Sequence, residues 1–242
     1  KRIAEVPIPT YYGDEICYVN GLRYAADVTR DVARYRAHKM GFGTGELAFA
    51  SEGYEAKESA GSSHQRLLAW LAQRDPGTVL DLGCADGYLA GRLREAGHHV
   101  TGVDLAAAPG TKDCLDRFVQ ADLDQGMPAE VDGPFDVVVA ADVLEHVRTP
   151  ERLLGQIREL LAPGGSVLIS IPNFGHWYPR LRVAVGRFDY DRRGILDRDH
   201  VRFFTRRSFE RLLDGAGFRV VRRDGTGLPV DVADRGAVED AD

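Results

Sequence analysis

The sequence predicts an α/β fold in which a mostly parallel central sheet is covered by helices on both faces. Four apolar runs are continuous rather than alternating, as expected of strands buried on both faces, and they are TVLDL (78–82), HVTGVDL (99–105), FDVVVA (135–140) and SVLISIP (166–172). Helical segments separate most of these runs. Repeats of strand, helix and strand form right-handed crossovers, so the sheet is expected to be parallel.

The other elements follow in chain order. An amphipathic helix, HQRLLAWLAQR, is predicted to start from Ser62 or Ser63, which are both good N-cap residues. After the first strand, the helix YLAGRLREAG ends at Gly97, in a position that favours glycine. RFVQADL is a further apolar run, and the helix PERLLGQIRELLAPGG begins at Pro150 and closes at two glycines.

Composition narrows the class of protein. The chain has 242 residues, of which 44% are hydrophobic and 28% charged, so it can bury a sizeable core as a soluble globular protein. The net charge of −6 argues against broad binding to nucleic acid or anionic membranes, and no nucleic-acid partner is expected. Three scattered cysteines match neither a disulfide framework nor a zinc motif, which predicts a reduced, cytoplasmic compartment. No apolar stretch reaches the length of a membrane span, and no signal peptide is visible.

Three unequal parts are predicted along the chain. Residues 1–60 form an arm and linker, residues 61–225 form the main domain, and residues 226–242 form an acidic, flexible tail. The arm contains a helical pattern, AADVTRDVARYRAHKM. Residues 174–205 form an insertion between the strand SVLISIP and a helix, RRSFERLLDGAG. Because the first residue is Lys1 and not methionine, we expect the chain to be a piece of a longer one.

The turn after the first strand, in DLGCADGYLA, is built from small residues. Ligands of parallel sheets bind outside the carboxyl ends of the strands, where small residues let the backbone approach them. The spacing of Gly83, Ala85 and Gly87 differs from the G-x-G-x-x-G of nicotinamide sites, which disfavours a nicotinamide-dependent oxidoreductase. A tight turn without a ligand is the alternative. The position of Asp104 favours a ligand-binding turn over a purely structural one. Asp104 ends the second strand, where a carboxylate can accept hydrogen bonds from a ribose, and Asp122 lies at the same edge of the sheet.

These segments together resemble the class I S-adenosylmethionine-dependent methyltransferases. The matching motifs stand in the family's order over roughly residues 64–224, and they are DLGCADG, VTGVDL, QADLD, FDVVVAADVLEHV and LLAPGGSVLISIPN. The resemblance implies a Rossmann-like fold and S-adenosylmethionine as the cofactor. It also implies that the sheet finishes with an antiparallel strand pair, of which FRVVRRD (218–224) is expected to be one member.

The same resemblance implies where the cofactor binds. All of the implied contacts lie at or near the carboxyl ends of strands. Ala85 departs from the family pattern, in which glycine is commonest at this position. The implied contacts are Asp81, Gly83, Ala85 and Gly87 around the methionine moiety, Asp104 and Leu105 at the ribose, Asp122 and Leu123 at the adenine, and Ala140 in the fourth strand.

The stretch ADVLEHV (141–147) gathers polar residues directly after the fourth strand. If residues 142–147 are helical, Asp142, Glu145 and His146 share one face. Methyl transfer to an alcohol requires the loss of a proton, which a general base or a Lewis-acidic metal can promote. The alternative is a helical first turn that favours acidic residues, with the histidine packed or solvated.

The stretch RDHVRFFT (198–205) adds a further histidine from the insertion. The chain thus contains D-x-x-E-H followed downstream by D-H-x-x-F-x-T. This pair of patterns is similar to that of small-RNA 2′-hydroxyl methyltransferases and, less fully, of ubiquinone-pathway O-methyltransferases. The resemblance implies that Asp142, Glu145, His146 and His200 hold a divalent metal, and an oxygen-rich set favours Mg²⁺ or Mn²⁺. Glu145, His146 and His200 are also the candidate catalytic residues. Two alternatives to a metal site stay open. In the first, His146 or His200 acts as a simple base, and in the second these residues neither bind a metal nor act as a base.

The insertion is rich in arginine and aromatic residues in an otherwise acidic chain. The arginine guanidinium binds phosphates through two hydrogen bonds and stacks on rings, so one hypothesis is an anionic or phosphate-linked acceptor. The other hypothesis is a solvated lid held together by salt bridges. His176, Trp177 and Tyr178 follow a buried strand and are predicted to line the acceptor pocket. The arginines are Arg180, Arg182, Arg187, Arg192, Arg193, Arg198, Arg202, Arg206 and Arg207.

The N-terminal arm resembles a second kind of protein. Residues 1–25 are similar to the C-terminal tail of family-2 glycosyltransferases of the polyprenyl-phosphate-mannose synthase type, as found where such enzymes are fused to a methyltransferase. This resemblance implies a longer bifunctional chain and a methyl acceptor hydroxyl on a sugar, a glycan or a similar small molecule. The alternatives are a regulatory module that binds S-adenosylmethionine without turnover and N-methylation of an amino sugar.

Overall fold

The chain folds around a five-stranded sheet in which all strands are parallel and the order is β3-β2-β1-β4-β5. The computed structural model describes residues 21–39, 62–191 and 194–226. The strands are β1 Thr78–Leu82, β2 His99–Asp104, β3 Arg117–Gln120, β4 Phe135–Ala141 and β5 Leu161–Ser170. The helices are α1 Gly21–Lys39, α2 Ser63–Leu71, α3 Tyr88–Glu95, α4 Pro150–Leu160, α5 Trp177–Ala184 and α6 Arg206–Gly215. The predicted α/β fold class is confirmed.

The central strand β1 is buried on both faces, as its continuous apolar run predicts. Its side chains Val79, Leu80 and Leu82 have no exposed surface. It pairs with β2 on one side and β4 on the other, so that Val79 faces both Val100 and Val137. Fully burying each such side chain stabilises the fold by roughly 1.5–3 kcal/mol.

Two apolar cores hold the helices against the sheet. On one face, Leu153 and Ile157 of α4 and Leu213 of α6 pack against the strands. On the other face, Leu71 of α2 and Leu93 of α3 pack against them. With helices on both faces of the sheet, ligands of such folds bind at the carboxyl edge of the strands.

Three helix ends show the local chemistry that their sequences predict. Ser62 is the N-cap of α2, and its hydroxyl accepts a hydrogen bond of 3.3 Å from the Gln65 amide. Gly97 follows α3 in the left-handed region at φ +90°, which confirms its predicted position after the helix. Thr205 and Ser208 form a capping box at the start of α6.

Helix α4 ends earlier than the sequence predicts. It stops at Leu160, and β5 begins at Leu161 instead of Ser166. Leu161 pairs with Phe135 of β4, and the register then shifts so that Ser166 pairs with Val137. The predicted helix over these residues is therefore wrong beyond Leu160, because pairing with β4 competes with the helix.

The predicted strand over residues 218–224 is wrong. Residues 218–226 have no regular secondary structure. The side chains of Phe218 and Val220 pack against the core nonetheless, whereas Val221 is exposed. The apolar residues of this segment therefore pack against the core although its backbone pairs with no strand in the described part of the chain. Residues 227–242, which follow the segment, lie outside the described residues.

Helix α1 confirms the helical pattern in the arm. The predicted arm and linker otherwise fall on residues 1–20 and 40–61, which lie outside the described residues, as does most of the predicted tail. None of the helices in the described ranges combines the length and the apolar character that crossing a bilayer requires.

Candidate active site

A cleft of about 1900 Å³ runs along β5 and reaches the carboxyl edge of the sheet. Two groups of residues lie at that edge. The first, called the cofactor half, comprises residues 81–87, 104–105 and 121–124, at the ends of β1, β2 and β3. The second, called the acceptor half, comprises residues 142–148 after β4 and the segment 173–205. Each half contributes part of the lining of the cleft.

The turn after β1 has the backbone shape that its small residues permit. Gly83, Ala85 and Gly87 all have positive φ, at 68°, 47° and 79°. A Cβ added at Gly83 would lie 2.7 Å from Cγ2 of Val143, so the two halves of the cleft touch at this glycine. The amide of Ala85 donates to Oδ2 of Asp104 at 2.8 Å, which connects the turn to the end of β2. Alanine at position 85 is thus accommodated despite its left-handed backbone.

The predicted ribose and adenine residues all line the cleft. Asp104 and Leu105 follow one another at the end of β2, and 64% of Leu105 is exposed. Asp122 and Leu123 line the cleft after β3. The carboxylate of Asp122 accepts a hydrogen bond of 2.9 Å from the Asp124 amide, which holds the loop in place. The structure therefore brings these four predicted residues to one edge.

Asp81 is a buried carboxylate in the recess beside this turn. Only 2% of the residue is exposed, and its Oδ2 has no hydrogen-bond partner in the described part of the chain. Burial, and secondly the charge of Asp104, raise the pKa of Asp81 to about 7. A cationic ligand group such as an ammonium would offset the cost of burying the ionised form.

Ala140 does not line the cleft, which corrects the prediction for this residue. It is fully buried in the apolar core of β4. Its neighbour Ala141 lines the cleft instead. The correction follows from the alternation of strand side chains, because successive residues point to opposite faces.

Residues 142–147 form a turn, so the helix that would place Asp142, Glu145 and His146 on one face is absent here. Asp142 has φ +56°, and its amide donates to the Ser170 carbonyl at 3.1 Å. Its Oδ1 accepts a hydrogen bond of 2.8 Å from the Ser170 hydroxyl. These bonds tie Asp142 to the end of β5, and it does not join the other predicted metal ligands in one cluster. The structure thus groups three of the four predicted ligands within 4.8 Å of one another, and metal binding by any of them stays a prediction.

Glu145, His146 and His200 lie together at the acceptor half. Each offers a ligand atom, and these atoms all lie within 4.8 Å of one another. The two imidazole rings meet edge to face at a centroid distance of 4.8 Å. Glu145 is 1% exposed, His200 is buried and His146 is exposed at the surface of the cleft. Burial, and secondly the charge of His146, lower the pKa of His200, which favours a neutral ring.

The hydrogen bonds of both histidines determine their tautomers. Nδ1 of His146 lies 3.0 Å from the Asp199 carbonyl oxygen, and Nδ1 of His200 lies 3.3 Å from the Ile195 carbonyl oxygen. A carbonyl can only accept, so Nδ1 carries the proton in each neutral ring. The lone pair is then on Nε2 in both residues, and each Nε2 can bind a metal or accept a proton.

Backbone contacts assemble the cluster from distant parts of the chain. The amides of Val201 and Arg202 both donate to the Glu145 carbonyl, at 2.9 and 3.0 Å. Nε of Arg202 donates to the Arg148 carbonyl at 2.9 Å. Sequence reasoning missed these contacts and that of Ser170, because carbonyl acceptors leave no signal in residue type.

Two of the three aromatic residues predicted at the acceptor pocket reach it. His176 and Tyr178 line the cleft together with Asn173, whereas Trp177 does not line it. Trp177 begins α5 and is 52% exposed, because the helix turns that side chain away from the cleft. The prediction for Trp177 is corrected accordingly.

Helix α2 contributes to the cleft, which sequence reasoning missed. Ser63, Arg66 and Trp70 line it from the helix that precedes β1. Their spacing at i, i+3 and i+7 places them on one face of α2. This periodicity was available in the sequence, although no motif connected it to the site.

The arginines of the insertion are divided between structure and surface. Arg182 binds the buried Asp191 at 2.7 Å, and Arg202 binds the Arg148 carbonyl, so both have structural roles. Arg206 lines the cleft. Arg192 and Arg193 lie outside the described residues.

Comparison with known proteins places the chain among enzymes of one kind. Residues 53–223 match a family model described as a methyltransferase domain. A ubiquinone biosynthesis O-methyltransferase of Aeromonas salmonicida is 30% identical over 173 residues, which cover 66% of this chain and 71% of that protein. Another, of Pseudomonas paraeruginosa, is 37% identical over 103 residues, which cover 40% of this chain and 44% of that protein. The chain thus spans less than half the length of the Pseudomonas relative.

A solved structure shares the fold. The crystal structure of Burkholderia thailandensis 1,6-didemethyltoxoflavin-N1-methyltransferase contains 1,6-didemethyltoxoflavin and S-adenosylhomocysteine. It superimposes with a TM-score of 0.54 and 20% sequence identity over 92% of this chain and 93% of that chain. At this identity the likeness concerns the fold.

Proposed function

The chain belongs to the methyltransferase-domain family and is a class I S-adenosylmethionine-dependent methyltransferase, and from that premise we propose that it methylates a hydroxyl oxygen. The acceptor is proposed to be a sugar, a glycan or a similar polar molecule. The cluster of Glu145, His146 and His200 carries the proposal, because methyl transfer to a hydroxyl needs a group that promotes proton loss. The O-methyltransferase names of the curated relatives support oxygen as the acceptor atom.

The cofactor is proposed to bind across the cofactor half. The methionine moiety is proposed to bind beside the left-handed turn at 83–87, where the buried Asp81 carboxylate suits its ammonium group. Asp104 and Asp122 provide carboxylate oxygens along the same edge for the ribose and the adenine side of the ligand. With the cofactor so placed, we expect its methyl group to point toward the acceptor half.

The proposed reaction is a direct displacement. The acceptor oxygen attacks the methyl carbon while the carbon–sulfur bond breaks, and S-adenosylhomocysteine leaves with the bonding electrons. The sulfonium is already an activated leaving group, so alignment of the acceptor supplies much of the rate. The hydroxyl proton passes to Nε2 of His200 or His146, which is unprotonated in the tautomer that the carbonyl contacts select.

A divalent metal fits the same three residues. Two ligand atoms on opposite sides of an ion are about 4.4 Å apart at ligand distances of roughly 2.1–2.2 Å, close to the 4.8 Å limit of the cluster. Glu145, His146 and His200 would hold the ion, which would lower the pKa of the acceptor hydroxyl when bound. One carboxylate and two imidazoles suit Mn²⁺ better than Mg²⁺, which prefers oxygen ligands.

The walls of the acceptor half support a sugar-like acceptor. His176 and Tyr178 offer ring surfaces beside the cleft, and Arg206 offers a cation that can bind a phosphate. The resemblance of residues 1–25 to a glycosyltransferase tail supports the same acceptor class, although residues 1–20 lie outside the described part of the chain.

The proposal is tested by screening acceptors with the full chain and S-adenosylmethionine. Sugar phosphates, neutral glycosides, amino sugars and catechols form the panel, and mass spectrometry detects the methylated product together with S-adenosylhomocysteine. We expect turnover with a hydroxyl acceptor and none with its deoxy analogue. Methylation of amino sugars alone would replace oxygen by nitrogen as the acceptor. Binding of S-adenosylhomocysteine without turnover of any acceptor would favour a regulatory module.

The metal is tested by direct binding. Mn²⁺ binding is measured by electron paramagnetic resonance for the wild type, Glu145→Gln and His200→Ala. Glu151→Gln is the matched control, because Glu151 is an exposed carboxylate of α4 that does not line the cleft. We expect the first two changes to abolish binding and the control to retain it. If a chelator leaves the rate untouched and Glu145→Ala has the wild-type rate, the metal has no role and the proton acceptor alone remains.

A further inference from the structure

Helix α5 turns its apolar side chains toward the solvent. Trp177, Leu181 and Val185 succeed one another at intervals of four residues and are 52%, 55% and 63% exposed. The loop that follows exposes Phe188 and Tyr190 as well. Contiguous exposed apolar surface of this kind marks an interaction site.

The inward face of α5 is polar, which is the reverse of an ordinary surface helix. Arg182 donates to Oδ1 of Asp191 at 2.7 Å, and the Tyr178 hydroxyl donates to Oδ2 of Asp191 at 2.9 Å. The side chains of Arg182 and Asp191 are only 14% and 2% exposed. Turning the helix to bury Trp177 and Leu181 would leave the Asp191 carboxylate buried without its cation, which is strongly unfavourable. The outward orientation of the apolar face is therefore built into the lid.

The charge on α5 itself is entirely positive. Residues 174–188 contain three arginines and neither aspartate nor glutamate, in a chain whose net charge is −6. The exposed Asp189, in the loop after α5, lies 3.5 Å from Arg182 and offsets the charge of that arginine. Arg180 and Arg187 are exposed beside the apolar side chains. Apolar side chains that include tryptophan, flanked by arginine, match the interface of a bilayer with anionic headgroups.

We propose that the outward face of α5, with Phe188 and Tyr190, docks on an anionic lipid surface. A protein partner fits less well, because a typical interface takes roughly 20–30 residues on each side and this face is one convex helix of eight residues. His176, at the start of α5, lines the cleft, so docking would bring the cleft mouth to the lipid surface. An acceptor carried on that surface could then enter the site. This inference goes beyond the proposed function, and its test requires no methyl transfer.

The test is cosedimentation of the full chain with lipid vesicles. Vesicles of phosphatidylcholine alone are compared with vesicles containing about a third phosphatidylglycerol, across a range of salt concentrations. We expect binding to the anionic vesicles only, weakening as salt rises, because exposed arginines act through screened charge. Leu181→Glu is expected to weaken binding at least tenfold, and Arg180→Glu with Arg187→Glu to do the same.

Leu22→Glu is the matched control. Leu22 is 86% exposed on α1, so the change adds the same charge to an exposed leucine outside the lid. Thermal unfolding shows whether each variant folds. Absence of binding by the wild type, or an equal loss in Leu22→Glu, would overturn the proposal. Sedimentation equilibrium without vesicles provides a second readout, since a dimer that Leu181→Glu dissociates would assign this face to a second copy of the chain instead.

Discussion

The cofactor half and the acceptor half of the cleft are built in different ways. In the cofactor half, the connecting hydrogen bond from Ala85 to Asp104 spans 19 residues, and the turn depends on residues within one motif. In the acceptor half, the contacts from His146 to Asp199 and from Arg202 to Arg148 span 53 and 54 residues. Local chemistry therefore shapes the first half, and docking of the lid shapes the second.

This difference predicts how each half fails. Damage to the acceptor half should remove the chemistry while the cofactor still binds. Damage to the cofactor half should weaken cofactor binding and, because Gly83 touches Val143, also disturb the fold. The two halves can thus be separated by measuring turnover, cofactor affinity and stability on the same variants.

The largest effect is expected for His200→Ala. Loss of a proton acceptor or metal ligand should lower kcat on the order of 10²–10⁴-fold, while the affinity for S-adenosylhomocysteine stays within about twofold. Steady-state kinetics and calorimetric titration measure the two quantities. His99→Ala, an exposed histidine at the opposite end of the sheet, is the control. Equal losses of turnover and cofactor affinity in His200→Ala would show that the halves are not independent.

Asp81→Asn is expected to stabilise the free protein and weaken cofactor binding. The pKa of about 7 in the folded protein lies above the ordinary aspartate pKa of 3.8, so the carboxyl contributes most to stability below pH 3.8 and this contribution is lost as pH rises through 7. The free energy of unfolding of Asp81→Asn should therefore exceed that of the wild type by up to about 4 kcal/mol at pH 8, and this difference should shrink toward pH 4.

Denaturant unfolding at several pH values measures this difference. The affinity of the wild type for S-adenosylhomocysteine should rise with pH through about 7, since an ionised Asp81 pairs with the ammonium group, and the variant should lose that rise. A stability difference that does not depend on pH would contradict burial of an ionisable Asp81.

Gly83→Ala is expected to cost more than Gly164→Ala. Both glycines have positive φ, so alanine brings backbone strain of about 1 kcal/mol at each. At Gly83 the new Cβ would also overlap Val143, which adds a cost of roughly 1–3 kcal/mol. The space at Gly164 is open, so no overlap is added at that position. Denaturant unfolding of both variants checks the difference, and equal costs would mean that the contact with Val143 relaxes freely.

The smallest effect is expected for Tyr178→Phe. The change removes the hydroxyl, which donates to the buried Asp191 and accepts from Arg182, and this should weaken the lid by about 1–2 kcal/mol. Hydrogen exchange should quicken at the Val201 and Arg202 amides, which dock the lid on Glu145, and stay unchanged in the cofactor half. Faster exchange throughout the sheet would contradict a local role for this network.

Much of the fold could be predicted from residue type and spacing. The continuous apolar runs located the central strands, because burial on both faces requires apolar residues at every position. The N-cap at Ser62 and the glycine at 97 marked helix ends through local hydrogen bonding and backbone freedom. The strand at 218–224 failed because strands need a partner edge, which a one-dimensional pattern does not reveal.

The candidate site was predictable in the same uneven way. The residues of the cofactor half lie within short motifs, and four of them line the cleft as a consequence of strand ends alone. Ala140 was misplaced by one residue, which reverses the face of a strand. Asp142 lies outside the cluster of Glu145, His146 and His200, because its positive φ and its bonds to Ser170 hold it at the end of β5.

The sequence by itself determined the parallel sheet, the small-residue turn and the carboxylates at the strand ends, because each leaves a signature in residue type and spacing. Only the tertiary structure decided that Glu145, His146 and His200 meet, that Asp142 stays apart and that α5 presents its apolar face outward. These outcomes depend on backbone carbonyls and a buried ion pair that join distant segments. Such contacts are specified by geometry, and residue type carries no record of them.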